Sequence, residues 1–213
     1  MSEPSVKIAV MEQRGPASLA ESPLHHVQLG ELAARPGQRG GVTFREHALL
    51  GHLVLRGKAD NPSLSAAVKS VLGLDLPGEP LSSVANDKAT LCWVSPDEWL
   101  LLVPGEDAFT VESSLREALQ GHFAIVNNSG GQTLIELSGP DAINVLKKSS
   151  CYDVHPAHFP VGKCVTTPFA KTTTLLRKTG EESYTLTIRR SFADYAWLWI
   201  QDASLEYGLV IAD

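Results

Sequence analysis

The chain has 213 residues, of which 43% are apolar and 20% charged, and a net charge of −6. That is the composition of a globular protein of one domain, or of two small ones sharing a core. The acidic balance argues against nucleic acid as the main partner, because such binding rests on neutralising phosphates, and no apolar run reaches the roughly 18 residues that span a bilayer.

Residues 1–41 are polar, with Pro4, Pro16, Pro23 and Pro36 and a glycine-rich end from Arg35 to Gly41. No basic stretch followed by an apolar one opens the chain, so no signal peptide is read. With little to bury, this segment cannot easily offset its own ordering entropy. It is expected to be an extended N-terminal arm, either mobile or laid over a partner, with disorder favoured in a free monomer.

From Val42 the pattern tightens. Val42–Arg45 and Leu49–Arg56 alternate as strands do. Asn61 and Pro62 start a helix as cap and first-turn residue. Leu64, Ala67, Val68, Val71 and Leu72 form its apolar face, and Gly73 is placed to end it. Leu74–Asp87 reads as a loop. Ala89–Val94 and Trp99–Val103 are strands joined by the turn Ser95-Pro96-Asp97-Glu98. A helix over Asp107–Gln120 and a short strand, Phe123–Asn127, follow.

The next stretch organises the rest. Thr133–Leu137 is a strand that runs into a helix over Pro140–Ser149, and Ser138 and Asp141 have the spacing of a capping box. Cys151–Gly162 is a loop. Cys164–Phe169, Thr172–Arg177 and Ser183–Arg189 are strands. Ser191 is placed to cap a last helix running to about Glu206. Ala193, Ala196, Trp197, Leu198, Trp199 and Ile200 make that helix apolar nearly all round, which predicts burial on more than one side. Leu209–Ala212 is a final strand.

Each half thus reads strand, helix, strand, strand, helix, strand, the ferredoxin-like βαββαβ order. The two versions are offset by about 80 residues. The expected fold is α+β, with two ferredoxin-like halves in tandem, 42–128 and 129–213. The halves share a core, since about 80 residues alone bury too little.

The candidate chemical residues favour structural roles. His155 and His158 are spaced as two metal ligands, but Pro156 and Pro160 place them in a loop and no accompanying ligand set has metal spacing. His25-His26 sits in the arm. Ser129-Gly130-Gly131 resembles a phosphate loop only in its glycines, because a strand follows it where a cradle needs a helix. Cys92, Cys151 and Cys164 form no C-x-x-C pair, which fits a reduced, cytoplasmic setting. Cys151 and Cys164 lack a clear activating partner and are expected as buried thiols. Asp97 and Glu98 read as solvated turn residues. Trp93, Trp99, Trp197 and Trp199 are the largest apolar groups. Trp197 and Trp199 lie on different helix faces, and core and subunit interface are equally open for Trp199. No residue is assigned a catalytic, cofactor-binding or metal-binding role.

Several runs carry a family resemblance. Val71–Pro77 (VLGLDLP), Leu91–Leu100 (LCWVSPDEWL), Ser138-Gly139-Pro140, the run Val145–Lys163 (VLKKSSCYDVHPAHFPVGK) and the junction Arg189–Ala193 (RRSFA) resemble the γ subunit of heterotetrameric, tetrahydrofolate-dependent sarcosine oxidase, over about residues 22–205. The resemblance implies partnership with α, β and δ subunits in an enzyme that demethylates sarcosine to glycine, makes hydrogen peroxide and passes a one-carbon unit to tetrahydrofolate. It places FAD, covalent FMN, NAD and zinc in those partners, and none in this chain. It also implies the folate-binding fold of aminomethyltransferases. Those enzymes place an aspartate shortly before a serine, where this chain reads Val126-Asn127-Asn128-Ser129, and amides do not take a proton as a carboxylate does. The expectation is a non-catalytic subunit, and the alternative is a free-standing folate-binding aminomethyltransferase-like protein.

Overall fold

The structure is a computed structural model that describes residues 20–212; the first part of the expected arm, residues 1–19, and the reading of no signal peptide there lie outside them. The elements are α1 (Leu29–Ala33), β1 (Val42–His47), β2 (Gly51–Gly57), α2 (Pro62–Leu72), β3 (Ser83–Ala85), β4 (Thr90–Ser95), β5 (Glu98–Val103), α3 (Ala108–Ala118), β6 (Phe123–Asn127), β7 (Gln132–Ser138), α4 (Ala142–Ser149), β8 (Cys164–Phe169), β9 (Thr172–Gly180), β10 (Ser183–Arg189), α5 (Ala193–Ala203) and β11 (Leu209–Ile211).

The strands form a five-stranded sheet, β3-β4-β5-β2-β6, and a six-stranded sheet, β11-β1-β7-β10-β9-β8. In the first, β6-β2-β5-β4 is the ferredoxin-like arrangement, with β3 added at the edge. The second holds the corresponding strands β11, β7, β10 and β9, with two departures. Strand β8 is added beyond β9. Strand β1, which the sequence reading put at the start of the first half, is inserted between β11 and β7. It runs parallel to β11 (Val42↔Leu209) and antiparallel to β7 (Phe44↔Leu137). Alternation located this strand, but it carries no information about which sheet receives it.

Period-2 alternation then builds the layers. Leu53, Leu55, Trp99, Leu101 and Ile125 face α2 and α3 and pack on Leu64, Val68 and Leu115. Phe44, Ile135, Leu137, Tyr184, Leu186 and Ile188 face α4 and α5 and pack on Val145, Leu146, Ala196, Trp197 and Ile200. The opposite faces of the two sheets meet at Cys92, Leu100, Leu102, Leu134 and Cys164. The result is helices, sheet, sheet, helices, with a thin apolar seam between the halves.

Local signals held at some ends and failed at others. The Asn61 side chain accepts from Ser63 N at 3.0 Å, and Gly73 closes α2 at φ 69°. The capping box does not form. Ser138 completes β7, α4 starts at Ala142, and Asp141 makes no capping bond. There Gly139, at φ 105°, takes a tight turn that brings Asp141 N to Gly41 O at 2.9 Å. Ser191 does not cap either; it lies in a short 3-10 turn ahead of α5. Helix α5 buries one face, and Leu198 on its other side is 56% exposed, so it is not enclosed all round.

The arm departs most from expectation. From residue 20 onward it packs on its own chain. Leu24 is 1% exposed and belongs to the larger core. Ser22 Oγ donates to Glu46 at 2.9 Å, and Arg190 donates to Glu21 O at 3.2 Å. Gln38 donates to Leu32 O and Ala33 O and accepts from Ile211 N at 2.8 Å, closing the free edge of β11. The other edges are managed too, as exposed edges must be. Pro168 removes a backbone donor from edge strand β8, and Arg116 donates to Ile125 O on β6.

Candidate functional site

The seam between the sheets is apolar at its centre and polar at both ends. One end is the connection from β6 to β7, which carries the chain from the first half to the second. Ser129 Oγ donates to Asn127 Oδ1 at 2.5 Å and accepts from His52 N at 3.0 Å. Asn128 N donates to His52 O at 2.8 Å. The glycine turn is therefore a clamp on β2, formed by a Ser-Gly-Gly single turn with a strand after it.

His52 lies under this clamp and is 1% exposed. Its Nδ1 stands 3.1 Å from Leu50 O, a carbonyl that only accepts, so Nδ1 carries the proton. Nε2 is left as a buried acceptor with no partner among the described residues, as is Oε1 of Gln132 at the start of β7. Burial pushes the imidazole pKa below its ordinary value, so the ring is neutral. On the same side of the six-stranded sheet, His47 Nε2 and Glu136 Oε2 are 2.6 Å apart and half-buried. The hydrogen bond from His47 holds the Glu136 carboxyl below the usual carboxylate range. Asn127 and Asn128 themselves are exposed amides. They hold the turn but supply no carboxylate for proton transfer.

The other end of the seam joins the sheet edges. Ser82 bridges to Lys163, and Cys164 N donates to Leu81 O at 2.9 Å. Arg177 Nε donates to Ser83 Oγ at 2.7 Å, which donates to Gly162 O at 2.6 Å. Here Cys92 from β4 and Cys164 from β8 lie together, both buried.

The remaining candidates lie apart from the seam. His155 and His158 are exposed, with ring centroids 6.2 Å apart. His155 Nδ1 accepts from Ala157 N, and the nearest acid to His158 is Asp153 at 3.9 Å. No group of three His, Cys, Asp or Glu side chains among the described residues is placed to hold a metal ion. His25 stands 3.8 Å from Glu21, and His26 stands 3.0 Å from Asp194. Asp97 and Glu98 both pair with Arg56 at 3.2 Å on an exposed hairpin. A bond from Ser95, and then Arg56, lower the Asp97 pKa. Cys164 is buried as expected, whereas Cys151 is exposed on the loop after α4.

The tryptophans are mostly core. Trp99 is fully buried and donates to Pro77 O at 2.9 Å. Trp197 packs edge-on to Phe44 at 4.9 Å. Trp93 is half-buried against the first core. Trp199 is half-buried on the second core and donates to Ser149 Oγ at 2.9 Å, so its polar edge is used within the chain. Sequence reasoning missed His52, Gln132 and the meeting of Cys92 with Cys164. No local pattern marks them, because His52 is held by the distant Asn128–Ser129 turn and Cys92 meets Cys164 from the other sheet.

Comparison with known proteins adds to this geometry. The family described as sarcosine oxidase, gamma subunit family, matches residues 56–206. A sarcosine oxidase subunit gamma from an Arthrobacter species is 34% identical over 197 residues, covering 90% of this chain and 93% of that protein. Among solved structures, heterotetrameric sarcosine oxidase from Corynebacterium sp. U-96, in complex with pyrrole 2-carboxylate, contains a chain that superposes with a TM-score of 0.79 at 30% identity. That match covers 89% of this chain and 96% of the other. The glycine cleavage system aminomethyltransferase T from Bartonella henselae superposes with a TM-score of 0.65 at 14% identity, over 92% of this chain and 60% of that one, and so shares the fold.

Proposed function

The chain belongs to the sarcosine oxidase gamma subunit family, and on that premise we propose that it is a non-catalytic, assembly-holding subunit of a heterotetrameric sarcosine oxidase. In this reading it associates with α, β and δ subunits. The complex oxidises sarcosine to glycine, reduces oxygen to hydrogen peroxide and transfers the one-carbon unit to tetrahydrofolate. FAD, FMN, NAD, tetrahydrofolate and zinc belong to the partner subunits, and the complex is cytoplasmic. Among the described residues no helix is long and apolar enough to cross a membrane.

The observation that carries the reading is the likeness to a chain of the heterotetrameric enzyme over nearly the full length of both. The seam supports the non-catalytic part. Where a folate-dependent aminomethyltransferase is expected to hold a proton-transferring aspartate, Asn127 and Asn128 hold a turn, and the His52 imidazole below them is neutral with its free nitrogen buried. The described part of the arm, expected to be mobile or laid over a partner, packs on its own chain.

The test is to produce the chain alone and with its α, β and δ partners, separate each by size, and measure sarcosine-dependent peroxide formation. Co-elution with activity in the mixture and none from the single chain is expected. A chain that ignores the partners and binds folate tightly overturns the reading in favour of the free-standing alternative.

A further inference from the structure

Cys92 and Cys164 bring two nucleophilic side chains together across the seam, one from each sheet and one from each half. Their backbones are locked. Cys92 is registered between Ser83 and Leu100, and Cys164 is registered on Arg177, with its N–H on Leu81 O. Cys164 Sγ stands 3.1 Å from Ser82 O and 3.5 Å from the carbonyl of Trp93, the neighbour of Cys92. Both thiols belong to one buried cluster with Leu100, Leu102 and Leu134.

Packing alone would account for two small buried side chains, but not for Arg177, which pairs with Cys164 across β8 and β9 and donates to Ser83, the β3 partner of Cys92. The neighbouring Cys92 thiol and then the Arg177 guanidinium hold the Cys164 thiol below its ordinary range, against burial. The neighbouring Cys164 side chain and burial push the Cys92 thiol up. This is the pairing of an attacking and a resolving cysteine. Val94, Leu175 and Arg177 beside them are half-buried.

We propose that Cys92 and Cys164 are a peroxide-driven thiol–disulfide pair that staples the two halves of the subunit across their seam. The Cys164 thiolate attacks one oxygen of hydrogen peroxide, and the O–O bond breaks. The leaving hydroxide takes up a proton as water, and the sulfur, oxidised by two electrons, becomes a sulfenic acid. The Cys92 sulfur then attacks that sulfur, the S–O bond breaks, and the oxygen departs as a second water with the Cys92 proton. Two thiols and one hydrogen peroxide give one disulfide and two waters. The nearby source of oxidant rests on the proposed function, whose product is hydrogen peroxide; the thiol chemistry needs only the oxidant.

The full chain is exposed to added hydrogen peroxide, quenched in acid, unfolded in N-ethylmaleimide, digested and weighed. The expected product is a peptide pair joined through Cys92 and Cys164, about 2 Da lighter than the two reduced peptides together and restored by dithiothreitol. It forms equally in Cys151→Ser. In Cys92→Ser, the Cys164 sulfenic acid persists and is captured by dimedone. The proposal is overturned if both thiols still take the label after the exposed Cys151 is fully oxidised, or if Cys164 goes to sulfinic acid with no joined peptide. Because the peroxide is added, neither result bears on membership of the complex, which the co-elution experiment decides separately.

Discussion

Replacing Leu24 with alanine tests whether the arm is part of the core. The side chain is 1% exposed and belongs to the cluster that includes Phe44, Ile135 and Trp197. Truncating a buried leucine costs about 2–5 kcal/mol, depending on how far the site collapses. Leu24 sits on a segment fastened on both sides, by Ser22 to Glu46 and by Gln38 to Ile211, so collapse is only partial. Its partners on one side are nonetheless a single-layer arm, which places the cost at the lower end, about 2–3 kcal/mol. For a chain of this size that is a fall in Tm of roughly 5–10 °C. Urea unfolding followed by tryptophan fluorescence should show a lower midpoint with the slope unchanged, since the same surface is exposed. Leu29→Ala, at a half-buried site of the same arm, should cost about 1 kcal/mol. A loss at Leu24 below about 0.5 kcal/mol, the size of an ordinary surface change, would refute the reasoning and return the arm to the extended, dispensable segment that composition suggests.

A Cβ at Gly40 would lie 2.2 Å from Gly208 O, a backbone atom that cannot swing away. Gly40→Ala should therefore cost about 2 kcal/mol or more, while Gly78→Ala, with nothing within 4 Å, should be neutral within about 0.5 kcal/mol; equal midpoints in urea for the two would contradict the close approach. His52 sets a pH dependence of stability. Its folded pKa lies below the 6.5 of the free side chain, so the unfolded state binds the proton first. Its contribution is present above pH 6.5 and is lost as pH falls through the depressed folded value. Glu136, whose folded pKa lies below 4.5, adds a second loss at lower pH. Urea midpoints should fall from pH 7.5 to 5.5 in the wild type and fall less in His52→Gln; an equal fall would remove His52 as the cause.

Much of the fold was legible because it is written in local spacing. Alternation in Leu53–Leu55, Ile135–Leu137 and Tyr184–Ile188 located central strands and their buried faces. Asn61-Pro62 and Gly73 bounded α2. The repeated order of elements gave two ferredoxin-like halves. Ser138 and Asp141 show where local spacing misleads. Their capping-box pattern was overridden by a longer β7 and by the turn at Gly139 that docks on Gly41. The exposed side of α5 was misread because Leu198 counts as apolar wherever it points.

The candidate site was far less legible. Asn127-Asn128-Ser129 signalled the loss of a carboxylate, but not the clamp on His52 or the sealed imidazole beneath it. Cys92 and Cys164 carried no signal of each other. What the sequence determined by itself is most of the elements from Val42 onward, though not β3 within the expected loop, and the buried face of the central strands, because those follow from side-chain periodicity along one segment. Only the tertiary structure decided that β1 crosses into the second sheet, that Leu24 belongs to the core, and which groups meet in the seam. Such contacts join residues far apart in the chain, and the free energy that selects them comes from burying both partners at once, which no single segment encodes.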